Sequence, residues 1–247
     1  MVDRTYIIHS YKIPKFTGNF AKILYNIIME KEELTEAEKK RAEVFNQIRT
    51  DLESQGYVCH EKILTPTYAN TMSIVYMLPF AALMIVLYCI HNKVFSTKFD
   101  FKSTSIWVYE FRLFLSVLGM TACIFLHEFI HGIFFAIFAK NGWKSVSFGF
   151  NKAAFAPYCT TKETLTKKQY IIAAVMPTIV LGFALGTVAI FIGNVWFFAV
   201  TVVMVFGGGG DFIMIHNLLK IKSKGKDVLF FDHPTAIGSY FFVKETN

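Results

Sequence analysis

Residues 113–139, LFLSVLGMTACIFLHEFIHGIFFAIFA, decide how this chain is read. The stretch is apolar throughout, and its only charged or imidazole side chains stand together as His127, Glu128 and His131, spaced H-E-x-x-H. On a helix, residues four apart lie on one face, so both imidazoles can point at one metal ion. Glu128 stands beside them, placed to take a proton from a water that the metal activates. Such groups are expensive in hydrocarbon, so their presence there needs a chemical reason.

The composition fits a membrane setting around that stretch. Of the 247 residues, 54% are hydrophobic and 17% charged, and 27 are Phe. With several long apolar runs, this is the make-up of a polytopic membrane protein. The net charge of +7 suits a basic cytosolic face. The Lys and Arg are spread over membrane-flanking segments and form no single stripe, so no nucleic-acid partner is expected. Cys59, Cys89, Cys123 and Cys159 are widely spaced and contain no C-x-x-C pair, which excludes a zinc ribbon and a redox motif. The charged first 70 residues are not a signal peptide.

Taken in order, residues 1–71 read as a cytosolic leader. It holds an apolar patch at residues 6–11 and an amphipathic helix over 30–52, with Thr35 and Glu38 as a capping box. The helix is expected to lie solvated on the protein or membrane surface. Gly56 and Pro66 then break the chain. Four spans follow, near residues 72–90, from Ile106 or Leu113 to 139, 170–192 and 195–219. In the loop 143–160, Val146, Phe148 and Phe150 alternate with Ser145, Ser147 and Gly149, which predicts a small β-hairpin turning at Asn151 and Lys152. The third span carries Pro177 and a Gly182/Gly186 small-residue pair for close helix approach. The fourth is interrupted by Gly207–Gly210 and Asp211. The residues from 220 onward form a tail. The expected architecture is therefore an all-α membrane protein with four transmembrane helices. Its divisions are a leader (1–71), a four-span core (72–219) and a tail (220–247).

Lysines set the orientation. The 140–168 loop and the start of the tail are lysine-rich, so the positive-inside rule places both termini in the cytosol of a multi-pass cell-membrane protein. Spans two and four then run in the same direction. His127 precedes Lys140 by 13 residues and Asp211 precedes Lys220 by 9. At 1.5 Å per residue the two lie roughly 20 and 14 Å from that face, a depth they can share after tilt and a glycine-loosened helix. Asp211 is the carboxylate of another span that can serve as the third protein ligand a catalytic zinc requires. The set predicted is His127, His131 and Asp211 on Zn2+, with Glu128 as the catalytic base. The bland alternatives are helix–helix hydrogen bonds for the histidines, and a neighbouring hydrogen bond or lysine for Asp211. The glycines either pack helices closely, let span four approach span two, or unwind span four locally beside the metal. His216 reads as interfacial and Asp232-His233-Pro234 as a turn, with a supporting role at the site left open. Cys159 has no base partner.

The second-span H-E-x-x-H, a later span with proline (Ala174-Val175-Met176-Pro177) and the Gly-Asp of the final span resemble the site-2 protease type of intramembrane metalloprotease. The whole arrangement resembles more closely a family of small four-span bacterial membrane proteins described as putative zincin peptidases. The residues that carry the likeness are His127 to His131, Gly210-Asp211 and Asp232-His233-Pro234, within residues 70–240. The resemblance implies zinc at His127, His131 and Asp211, with Glu128 catalytic. Asp211 is followed by Phe212 and preceded by glycines, which departs from the Asn-x-x-Pro-x-Asp-Gly surroundings of the site-2 group. The expected activity is hydrolysis of a peptide bond in a membrane-associated protein, within or near the lipid bilayer. The 145–158 segment could pair with an unwound substrate as an added strand. The competing reading is a metal-binding transporter or sensor without hydrolysis, against which spans one and three offer almost no polar path.

Overall fold

The computed structural model describes residues 35–94, 105–151, 156–222 and 224–245. The patch at 6–11, much of the first extramembrane connection and the turn at Lys152 lie outside the described residues. The chain divides into two compact units, Met1–Lys39 and Lys40–Asn247, and the second carries the fold set out below.

Four helical stretches are long and apolar enough to cross a membrane: Pro66–His91, Ile106–Phe138, Lys167–Ile192 and Val195–Lys220. Span one is helix α2 (Pro66–His91), following α1 (Glu36–Ser54) and strand β1 (Val58–Ile63). It begins before the expected residue 72, because Thr65 caps it and Pro66 opens it. Proline fits the first helical turn, whose N–H has no helical partner. Span two is α3 (Ile106–Phe138), 33 residues and roughly 50 Å long, well beyond a bilayer's apolar core of about 30 Å. Most of its side chains face outward, among them Phe111, Phe114, Phe125 and Phe129.

Span three combines α4 (Lys167–Pro177), a π-helical turn (Thr178–Ala184) and α5 (Leu185–Ile192). Thr166 and Gln169 form a reciprocal capping box at its start. Gly193, at φ 73°, ends it in the left-handed region that glycine tolerates. Span four is α6 (Val195–Gly207) and α7 (Gly209–Lys220), joined at Gly208.

The glycines act elsewhere than toward span two. A Cβ on Gly208 would meet Thr178 of span three, and one on Gly209 would meet the backbone of Ser73 in span one. The Gly182/Gly186 pair admits Val205 and Thr201 of span four, as its spacing predicts. Close approach on these sides holds span four in place, and Asp211 falls in the first turn of α7. A carboxylate is favoured there by the helix dipole.

The predicted hairpin is present. Strands β2 (Val146–Asn151) and β3 (Ala156–Thr161) pair antiparallel, with Phe148 opposite Cys159. Glu163 ties its base to the end of span two: its carboxylate accepts the Lys140 and Asn141 backbone N–H groups and the Asn141 side-chain amide, and it also accepts from the Ser145 hydroxyl.

A second, four-stranded antiparallel sheet does not follow from the sequence pattern. Its order is β1, β6 (Gly238–Glu245), β5 (Lys226–Asp232), β4 (Leu165–Thr166), so leader, loop and tail are joined in one element. Alternate residues along a strand face opposite sides. Val228 and Phe230 pack with Leu165, Tyr170, Phe135 and Leu218 at the ends of the spans. Phe231 and Phe242 pack with Phe45 and Leu52 of α1. Both faces of β5 and β6 are covered, so residues 228–231 and 240–243 read as continuous apolar runs without alternation, whereas β1 is largely exposed. The expected amphipathic helix is α1, with the Thr35–Glu38 box at its start. Its apolar stripe rests on this sheet.

Candidate metal centre

One turn of α3 supplies His127, Glu128 and His131. The two imidazole rings lie 4.8 Å apart, near perpendicular. One ligand atom from each of the three residues lies within 4.8 Å of the others. From span four, Asp211 reaches both histidines: Oδ2 is 3.2 Å from His127 Nε2 and Oδ1 is 3.5 Å from His131 Nε2. Two helices that the sequence placed at a common depth thus bring three candidate ligands, two imidazoles and a carboxylate, to one point. His131 is buried, and His127 and Asp211 are only partly covered.

The chemistry of this donor set suits a cation. His131 Nδ1 lies 2.8 Å from the Ala173 carbonyl oxygen. A carbonyl only accepts, so Nδ1 carries the proton. In the neutral ring, Nε2 then presents its lone pair to Asp211 Oδ1. Lone pair against carboxylate is repulsive unless a second proton or a metal ion lies between. A histidine whose far nitrogen is fixed by a carbonyl is the usual arrangement around a bound metal. The residues fit zinc, whose ligands are of these types.

Glu128 opens onto a cleft of about 370 Å³ between α3 and the hairpin, walled by Phe125, Phe148, Phe150, Pro157 and Tyr158. Among these lining residues Glu128 is the one acidic group, at the boundary between cleft and histidines. Gly132 and Gly149 allow the close fit, since a Cβ on either would meet Phe148 or Tyr158. The guanidinium of Arg41, from α1, sits 4.5 Å over the Tyr158 ring.

The remaining sequence candidates separate. Asp232 shares the span-facing side of β5 with Val228 and Phe230, and its carboxylate accepts the Tyr170 hydroxyl of span three. Burial raises the Asp232 carboxyl from its ordinary value, which the hydrogen bond from Tyr170 partly offsets. It therefore stands beside the centre, beyond the turn role that the tripeptide suggests. His233 does make the turn: Nδ1 accepts the Thr235 and Ala236 N–H groups at 3.2 and 2.8 Å, and Nε2 lies 3.0 Å from Glu61. His216 packs beside Tyr76, with ring centroids 5.2 Å apart. The Asn217 side chain donates to Ile213 O. Burial, followed by Glu128 and Asp232, raises the Cys159 thiol, which keeps it protonated and unfit as a nucleophile. Tyr170 escaped the sequence reading. Its one available signal was its place one turn before Ala173, in a span that also holds Pro177.

Residues 120–225 match the family model described as "Putative zincin peptidase". That segment takes in spans three and four and the part of span two that carries the H-E-x-x-H group. No curated protein and no solved structure matches the chain. The family match and the His–Glu–His group point together to a zinc metallopeptidase.

Proposed function

We propose that this chain is a zinc-dependent endopeptidase of the cell membrane that cleaves a peptide bond of a membrane-associated protein within or near the bilayer. The observation that carries the reading is the meeting of His127 and His131 Nε2 with the separate oxygens of Asp211, at 3.2 and 3.5 Å, beside a glutamate that opens onto a cleft. His127, His131 and Asp211 would hold the metal. When bound, zinc supplies Lewis acidity and the positive charge that amide hydrolysis calls for. Glu128 accepts a proton from the attacking water and delivers it to the departing amine nitrogen. A carbon–oxygen bond forms, the carbon–nitrogen bond breaks, and Glu128 ends unprotonated as it began.

The cleft's apolar walls favour apolar side chains next to the scissile bond. The hairpin is a sheet of two strands, in which β2 and β3 pair with each other and present their outer edges beyond that ladder. An unwound substrate segment can hydrogen-bond to such an edge as an added strand. This supports an extended substrate lying beside Glu128. Purified protein in lipid vesicles is the test. Cleavage of a model membrane substrate, stopped by a chelator and restored by zinc, supports the reading. Retention of metal with no cleavage of any membrane-inserted or peripheral substrate favours the transporter or sensor alternative.

A further inference from the structure

Pro177 lies inside span three and is fully buried. In an α-helix the carbonyl of each residue accepts the N–H four positions later. The partner of the Ala173 carbonyl would be the amide of residue 177, and proline has none. The next amide does not replace it, because Thr178 N–H donates to Val175 O. The orphaned Ala173 carbonyl instead receives His131 Nδ1 of span two at 2.8 Å. A π-helical turn, Thr178–Ala184, begins directly after the proline, and such turns relax the ordinary helical ladder.

We propose that Pro177 is a positioning residue for the metal centre. Removing one N–H leaves Ala173 C=O as a dedicated acceptor, which fixes the proton of His131 on Nδ1 and directs the Nε2 lone pair toward Asp211. A buried carbonyl left without a donor costs stability, and a ring left free to flip its tautomer binds metal less well. The proline joins these two requirements into one hydrogen bond between spans. The metal half of this inference rests on the zinc reading above, whereas the tautomer half does not.

The test uses full-length protein in lipid or detergent, with Pro177→Ala and Pro177→Val. Both variants restore the N–H but change side-chain volume differently, so an effect they share belongs to the amide. Pro79→Ala makes the same backbone change in span one, which supplies no ligand, and serves as the control. Zinc affinity is measured by competition with a chelating dye, and the His131 proton is located by nitrogen-15 NMR of zinc-free, histidine-labelled protein. The expected result is an Nδ1–H tautomer in wild type and in Pro79→Ala, lost or mixed in both Pro177 variants. Zinc affinity should fall about 10-fold or more in both, the range for removing a ligand's outer partner. A wild-type His131 protonated on Nε2 alone overturns the proposal without any variant, as does wild-type zinc affinity in both Pro177 variants. A wild type that binds no zinc, but holds the Nδ1–H tautomer only while Pro177 is present, removes the zinc reading and leaves the role of the proline standing.

Discussion

His127 Nε2 stands 3.2 Å from Asp211 Oδ2, across 84 residues of sequence and from a different span. An aspartate inside a span costs on the order of 3 kcal/mol when it has no cation to face. The contact gives it two imidazoles, and a metal between them would satisfy all three groups.

Glu128 is assigned to proton transfer and not to metal binding. Glu128→Gln should keep zinc at one equivalent and lower the cleavage rate by at least about 100-fold, the lower end of what a positioned general base contributes. Paired metal analysis and cleavage assays check this. Loss of zinc together with activity would make Glu128 a ligand, and undiminished cleavage would remove it from the reaction.

The hairpin is assigned to the substrate. Ser147→Pro breaks the β2–β3 ladder at a residue paired with Thr160. The account expects lost cleavage of a membrane substrate with zinc content unchanged. Wild-type cleavage by that variant would rule out strand addition.

Asp232 and Tyr170 should behave as a coupled pair. Tyr170→Phe leaves a buried carboxylate without its donor and should cost about 1–3 kcal/mol. With Asp232→Asn already present the same change should cost less, and thermal melts of the four proteins in a double-mutant cycle read the coupling. Additive effects would show that the hydrogen bond carries no energy of its own.

His233 predicts an acid-sensitive turn. Burial holds it below its ordinary value of 6.5, while Glu61 works in the opposite direction. Its Nδ1 must stay unprotonated to accept two backbone N–H groups. The unfolded chain takes up a proton below pH 6.5 before the folded chain does, so this stabilisation is full above 6.5 and is lost as pH falls through the folded value. The melting temperature of wild type should therefore approach that of His233→Ala between pH 7 and pH 5. A constant gap across that range would contradict the assignment.

Much of this was legible in the chain itself. The spans were visible as apolar runs, and the H-E-x-x-H turn and Asp211 as polar residues within them. Their common depth followed from helical rise and lysine placement, and the hairpin showed through alternation at Val146, Phe148 and Phe150. What stayed hidden was long-range pairing. Val58–Ile63 and Gly238–Glu245 are distant in sequence; the first is largely polar and exposed and the second carries apolar residues on both faces, so no period marked either. Asp232 looked like part of a turn because its partner, Tyr170, lies in span three, 62 residues away. Pro66 looked like a break because the polar residues after it masked the start of a helix. Pro177 was visible, but not the carbonyl that it freed.

Zinc content is the measurement that tests the central claim most directly. Protein purified without added metal and without chelator, analysed by elemental mass spectrometry, should carry one zinc per chain. His127→Ala, His131→Ala and Asp211→Ala should each carry little or none while still melting as folded proteins. Wild-type protein free of zinc even after incubation with it, or Asp211→Ala protein still holding a full equivalent, would contradict the account.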